Sequence, residues 1–293
     1  MAWLRVGGAC HPTGRSVIGA GCHANPRVTR DPPSAHATLT FVRRASGTAE
    51  TQFRARSVDT LVDDYYASRY AVVHATGGLQ DAAKAMHVAL EHGRSDESYP
   101  VTVELGAGEL QHYGHVRHRR ERYVATDIRE PMAVPLYRQV LAGDGPPDLA
   151  FLRADAVHLP FANASVDRVV ATCLLLHLPD PLGALREWQR VCRPSGVIDL
   201  LVPCEPGMAL RVFRTLVSRR VARTQGVSGA DFDLVNALDH VNYFGRVLAI
   251  TRAGVDPGRR LQVRYFPFRF LPAWNLNAFA IFSITPDGTP PGT

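Results

Sequence analysis

In Val101-Thr102-Val103-Glu104-Leu105-Gly106-Ala107-Gly108-Glu109 a run of β-branched and apolar residues passes directly into two glycines one residue apart. A strand that empties into glycines offers its carboxyl end to a ligand, because residues without Cβ let the backbone approach closely. Outward from this point, short apolar runs recur at Tyr123–Thr126, Leu149–Leu152, Val166–Thr172 and Val197–Val202, separated by helix-length segments. Strands joined by helical crossovers predict an α/β fold with a doubly wound, mostly parallel sheet and helices on both faces.

One crossover is fixed by its punctuation. Asp180 supplies an N-cap acceptor and Pro181 the first helical position. The body runs over Leu182–Arg193, with Leu182, Leu185, Trp188 and Cys192 on one face, and Pro194-Ser195-Gly196 stops it before the next strand. Upstream, residues 57–98 read as N-terminal helices broken at Gly77-Gly78 and closed by Gly93. Residues 99–205 form the core and 206–260 a helical insertion. Residues 261–293 hold two last strands, Leu261–Phe268 and Leu276–Ile284, and a C-terminal tail.

The strand ends suggest the ligand. A nicotinamide dinucleotide is not expected, because its fingerprint needs a third glycine at position 111, where this chain has Gln111. Asp127 closes the second strand nineteen residues beyond Gly108. A carboxylate there accepts from two ribose hydroxyls, through charged hydrogen bonds worth roughly 1.5–3 kcal/mol each. Asp155 follows the third strand, placed to take a purine exocyclic amine. Three acids on one rim with a glycine loop suit a ligand that has a ribose, an amine-bearing base and a positive charge, but no phosphate.

The order Val103-Glu104-Leu105-Gly106-Ala107-Gly108, Tyr123 to Asp127, Ala154-Asp155-Ala156 with Leu159-Pro160-Phe161, Ser165-Val166-Asp167 and Arg190 to Gly196 resembles class I S-adenosylmethionine-dependent methyltransferases of the type 11 small-molecule branch. The resemblance covers about residues 99–205. It implies a seven-stranded Rossmann-like sheet with an antiparallel last strand. It also implies methyl transfer from S-adenosyl-L-methionine to a small-molecule acceptor, leaving S-adenosyl-L-homocysteine. Glu104, Gly106, Ala107 and Gly108 would line the methionine end, Asp127 with Ile128 would hold the ribose, and Asp155 with Ala156 would frame the adenine. Leu176 and His177, after the fourth strand, would border the methyl group. The chain departs from the family pattern at Leu110, where a third loop glycine is usual, and at Ser195-Gly196, where Gly-Gly is usual.

In such a fold the helical insertion before the last two strands covers the substrate. Here it carries Asp239-His240-Val241-Asn242-Tyr243, a polar cluster in an otherwise apolar helix. His240 is therefore the first candidate for a general base, His177 the second, and Tyr243 and Asn242 are candidate substrate contacts. His112, His115 and His118 stand at i, i+3 and i+6, but on a helix the outer two diverge and no acid completes a ligand set. No metal site is expected, and these histidines read as helix surface.

The net charge of +6 comes from 33 basic and 27 acidic residues. Residues 1–56 hold eight arginines against Asp31 and Glu50, a balance of +6, so the remainder is neutral at 25 against 25. The first 56 residues lack sustained periodicity and read as a flexible basic tail, with an inert extension or a transit segment as alternatives. A nucleic-acid acceptor is not expected: the Asn/Asp-Pro-Pro-aromatic motif of amino-methylating enzymes is missing at Cys173–Leu178. Thr172-Cys173 and Pro203-Cys204 stand in the reverse of the order that cytosine-modifying enzymes show. Nucleic-acid methylation and cofactor binding without turnover remain the rival readings. Five cysteines without a CxxC suit a reducing cytoplasm, no apolar run spans a membrane, and nothing in the pattern specifies an oligomeric state.

Overall fold

A computed structural model describes residues 57–131 and 134–288. The expectations for residues 1–56, including the tail and Cys10 and Cys22, lie outside the described residues, as do those for 289–293. Seven strands form one sheet: β1 (Val101–Leu105), β2 (Arg122–Asp127), β3 (Leu149–Arg153), β4 (Val166–Thr172), β5 (Cys192–Pro203), β6 (Arg259–Phe266) and β7 (Phe279–Pro286). Their order is β3-β2-β1-β4-β5-β7-β6. The first five are mutually parallel, and β7 runs antiparallel to both its neighbours. The chain thus winds outward from β1 in both directions, and the switch point lies between β1 and β4, where such sheets leave a crevice at their carboxyl ends.

Three helices precede the sheet: α1 (Leu61–Ser68), α2 (Tyr70–His74) and α3 (Gly77–Leu90). Gly77 and Gly78 open α3 rather than interrupting a longer helix, with Gly77 at φ +53°. Helix α4 (Pro135–Ala142) follows β2, and α5 (Pro181–Val191) follows β4. As expected, the Asp180 carboxylate accepts from the Gly183 N–H at 2.9 Å and Pro181 starts α5. The helix ends two residues earlier than its sequence predicts, because Cys192 already has extended backbone and begins β5.

Between β5 and β6 lie α6 (Met208–Phe213), a single π turn (Arg214–Ser218), α7 (Arg219–Thr224), α8 (Gly229–Asp239) and α9 (Phe244–Gly254). Helix α9 packs on α5 so closely that a Cβ on Gly254 would meet Leu182 Cδ1 at 2.8 Å. Gln189 Nε2 donates to the Gly254 carbonyl across this contact at 2.8 Å. The main core joins α5 and α9 to the sheet through Leu185, Trp188, Val191, Phe244, Val247 and Phe282. Each such side chain contributes about 1.5–3 kcal/mol by leaving water. Strand β7 begins at Phe279 and not at 276, because Trp274–Leu276 forms a 3₁₀ turn. Buried Asn277 holds that turn by donating to the Leu271 and Ala273 carbonyls.

A polar network runs through the middle of the sheet. Fully buried Arg168, on β4, donates to Glu91 Oε1 at 2.7 Å and to Asp199 Oδ2 at 2.9 Å. Arg94 and Ser283 donate to the other Asp199 oxygen. Burial raises both carboxyls, but the facing guanidiniums outweigh it, and Glu91 and Asp199 remain below the ordinary carboxylate range.

Candidate functional site

A cavity of about 450 Å³ opens at the carboxyl ends of β1 and β4. Its floor is the β1 loop. Glu104 is 1% exposed and accepts from the Tyr123 hydroxyl at 2.8 Å. Burial raises the Glu104 carboxyl above its ordinary range. Gly106 has φ +63°, and a Cβ there would lie 2.8 Å from Leu174 Cδ1. Gly108, at φ +46°, has nothing within 4 Å of where its Cβ would stand. The first glycine is needed for packing behind the loop, and the second leaves open room in front of it.

Asp127 shapes this loop from the end of β2. Its Oδ2 accepts from the Gly108 N–H and its Oδ1 from the Arg129 N–H, each at 2.9 Å. An ionised carboxylate offers about four lone-pair sites, so two stay free for ribose hydroxyls. A cationic, phosphate-free cofactor fits these acceptors and this space: a buried carboxyl near its charge, a bare glycine for its approach and an acid for its sugar.

The rest of the wall comes from the helices. Tyr66 and Tyr70 stack at 4.5 Å, Tyr70 stacks on His74 at 4.1 Å, and Tyr65, Phe213 and Phe232 add further apolar surface. Two histidine–carboxylate pairs face each other within this lining. His177 Nδ1 lies 3.1 Å from Asp239 Oδ2, which also accepts from the Tyr66 hydroxyl at 2.8 Å. His240 Nδ1 lies 2.7 Å from Glu205 Oε2, and Arg214 donates to Glu205 Oε1. The two imidazoles meet edge to face with centroids 4.8 Å apart.

Their environments differ. Burial, with the charges of His177 and Arg214, pushes His240 down to about 3, which makes it a weak base that stays neutral. Asp239 is raised by burial, yet the His177 and Tyr66 hydrogen bonds outweigh that and hold it ionised, below its ordinary range. The sequence ranks His240 ahead of His177 as base; both line the cavity, each with Nδ1 against a carboxylate. His177, Asp239 and His240 also bring one ligand-type atom each within 4.8 Å of one another, but in both pairs the carboxylate is already engaged by an imidazole Nδ1. Cys173, at φ +60° at the end of β4, also lines the cavity, and burial pushes its thiol up to about 12. It is a poor nucleophile at neutral pH.

Of the residues picked out in the sequence, Glu104, Gly106, Ala107, Gly108, Leu176, His177 and His240 line the cavity. Asp127 adjoins it through Gly108. Ile128 is 59% exposed and does not line it. Asp155 sits in a turn outside the lining, its Oδ1 accepting from the Val157 N–H at 3.0 Å, and the Ala156 carbonyl accepts from Trp188 Nε1. Asn242 and Tyr243 also stay outside. Helix α8 ends at Asp239, so the polar cluster occupies a connection and not a helix interior. Buried Asn242 donates to the Leu175 and Leu178 carbonyls and ties this connection to β4's trailing turn, while Tyr243 caps α9 at 58% exposure.

The histidine triplet is not helix surface. His112 and His118 are buried around a 3₁₀ turn, His112 bridging His87 Nδ1 at 3.2 Å and Glu91 at 3.1 Å. Tyr66, Glu205 and Arg214, together with a role for Asp239, escaped the sequence reading. The one signal for Glu205 was its place two residues beyond the fifth strand.

A switch-point crevice with a glycine loop and a strand-end acid is where a doubly wound sheet binds a nucleotide-type ligand. Residues 103–199, about a third of the chain, match the family described as "Methyltransferase domain". Among curated proteins the chain is 42% identical to the methyltransferase GfsG of Streptomyces halstedii over 57 residues, 18% of this chain and 20% of that protein. It is 30% identical to the ubiquinone/menaquinone biosynthesis C-methyltransferase UbiE of Paracoccus denitrificans over 137 residues, 46% of this chain and 54% of that protein. The chain thus spans between a fifth and about half the length of these relatives. A solved structure, the trans-methyltransferase CalH in complex with S-adenosylhomocysteine, aligns at 17% identity over 78% of this chain and 65% of that one, with a TM-score of 0.48.

Proposed function

We propose that the chain transfers the methyl group of S-adenosylmethionine to a small, largely apolar acceptor bearing an ionisable hydroxyl, at the oxygen or at a ring carbon that the hydroxyl activates. The observation that carries this reading is the His177–Asp239 pair inside a cavity of about 450 Å³, a volume suited to a small molecule. A relative named for ubiquinone and menaquinone biosynthesis supports an acceptor of quinol type. Among the described residues Cys173, Cys192 and Cys204 are free thiols, which favours a reducing, cytoplasmic setting.

The bound cofactor supplies a methyl already activated by a sulfonium, and Glu104, Gly106, Gly108 and Asp127 are the residues to hold it. His177 uses Nδ1 on Asp239, so Nε2 is free to take the acceptor's hydroxyl proton, and Asp239 stabilises the imidazolium that results. Neutral His240, fixed by Glu205, orients the acceptor. The tyrosine wall excludes water and aligns the nucleophile, and alignment of this kind supplies roughly 7–11 kcal/mol of the barrier reduction. The test incubates the protein with methyl-labelled S-adenosylmethionine and a panel of hydroquinones and phenols. Labelled product that His177→Ala abolishes supports the reading; cofactor binding with no product from any acceptor would sink it.

A further inference from the structure

The helical run from Met208 to Thr224 has two faces with opposite surroundings. Leu210, Phe213, Arg214 and Ser218 line the cavity. Met208, Val212 and Leu216, spaced at helical intervals on the outer face, are 53%, 52% and 54% exposed. Arg211, Arg220 and Arg223 are exposed on the same run and form no ion pair among the described residues. Residues 206–230 contain five arginines and no acid, although the chain from residue 57 onward is neutral as a whole. The adjoining loop extends the apolar surface. The Met208 N–H donates to Asn275 Oδ1 at 2.7 Å, and this loop carries Phe268 at 45% and Phe270 at 86% exposure.

We infer that this face docks the protein on an anionic lipid surface, with Met208, Val212 and Leu216 entering the interface and Arg211, Arg220 and Arg223 meeting lipid headgroups. Charge selects this occupant. Residues 1–56 carry +6, and a second copy would present the same basic face, so both are repelled where an anionic bilayer is attracted. Exposed Met, Val and Leu side chains gain from an acyl boundary and gain nothing from a nucleic-acid backbone. Since the opposite side of the same helix lines the cavity, docking brings the acceptor site next to a store of apolar molecules. That last link rests on the acceptor proposed above; the docking does not.

The experiment measures binding of the full chain to vesicles of phosphatidylcholine alone and of phosphatidylcholine with phosphatidylglycerol, for the natural sequence and for Val212→Glu/Leu216→Glu. Neither residue lines the cavity, so S-adenosylmethionine affinity reports whether the variant is folded. Binding that needs phosphatidylglycerol and falls at least tenfold in the variant, at unchanged cofactor affinity, supports the inference. Equal binding by both proteins assigns the attraction to the basic N-terminal residues and overturns it. A dimer that the variant dissociates, or a preference for a polyuridine competitor over vesicles, overturns it as well. None of these outcomes depends on methyl transfer, so the proposed activity can fail while docking stands.

Discussion

Asp239 Oδ2 accepts from the Tyr66 hydroxyl at 2.8 Å and lies 3.1 Å from His177 Nδ1, so one oxygen links helix α1 to the turn that follows β4. The imidazole is thereby held in one orientation, with no hydrogen bond at Nε2 among the described residues. His177→Ala is expected to slow turnover by about 10²-fold or more, and Asp239→Asn by somewhat less, with S-adenosylmethionine affinity unchanged in both. Steady-state rates beside calorimetric cofactor titrations check this; equal losses of rate and cofactor affinity would mean that the pair only supports the fold.

Asp127 holds the glycine loop by the Gly108 N–H, and two of its lone-pair sites are left over, the number that a ribose diol would use. Asp127→Ala is expected to weaken S-adenosylmethionine binding tenfold or more, the factor given by one lost contact of about 1.4 kcal/mol. Calorimetry reads it directly, and an unchanged dissociation constant removes Asp127 from the cofactor site.

Arg168 stands between two buried carboxylates at 2.7 and 2.9 Å. Arg168→Met leaves Glu91 and Asp199 without their shared cation and is expected to lower the unfolding free energy by about 3–5 kcal/mol. Urea titration monitored by circular dichroism measures it. A loss under about 1 kcal/mol would show that Arg94 alone can neutralise the network.

Burial pushes His87 and His240 down to about 3 and His118 to about 4. In the unfolded chain each titrates near 6.5. A depressed folded value means that the stability these groups confer is complete above about pH 6.5 and is lost as the pH falls toward 3–4, with a slope approaching 1.4 kcal/mol per unit for each histidine. The melting temperature is therefore expected to drop steadily from pH 7 to pH 5. Depressed Glu91 and Asp199 add a further loss below about pH 4. A melting temperature that is flat between pH 7 and 5 contradicts the burial of neutral imidazoles.

The strand-and-loop half of the site was legible because local sequence specifies it. Val101–Leu105 running into Gly106 and Gly108 needs only β propensity and the absence of Cβ, and Asp127 follows from strand spacing. Asp180-Pro181 announced α5 for the same reason. The opposite half was not legible, because Tyr66 meets Asp239 from more than a hundred residues away, and Glu205 meets His240 across the whole run of helices between them. Asn242 and Tyr243 misled because a polar run beside an apolar helix looks the same whether it faces a cavity or satisfies backbone carbonyls. The histidine triplet misled because its spacing is meaningful only on a helix, and the chain there makes a single 3₁₀ turn. Arg168 and Asp199 did leave a signal: a charge in the middle of a central parallel strand has water on neither face, so each calls for the other.

The cavity's two walls have separate origins along the chain. The β1 loop, residues 104–112, supplies one side, and α1–α3, the turn that carries His177 and the run 205–240 supply the other. On the proposed roles, acceptor choice resides in segments separate from the glycine loop. Exchanging residues 61–90 and 205–240 between relatives of this architecture, with the His177 turn left in place, should transplant substrate preference as a cassette, while the sulfonium half serves each new tenant unaltered.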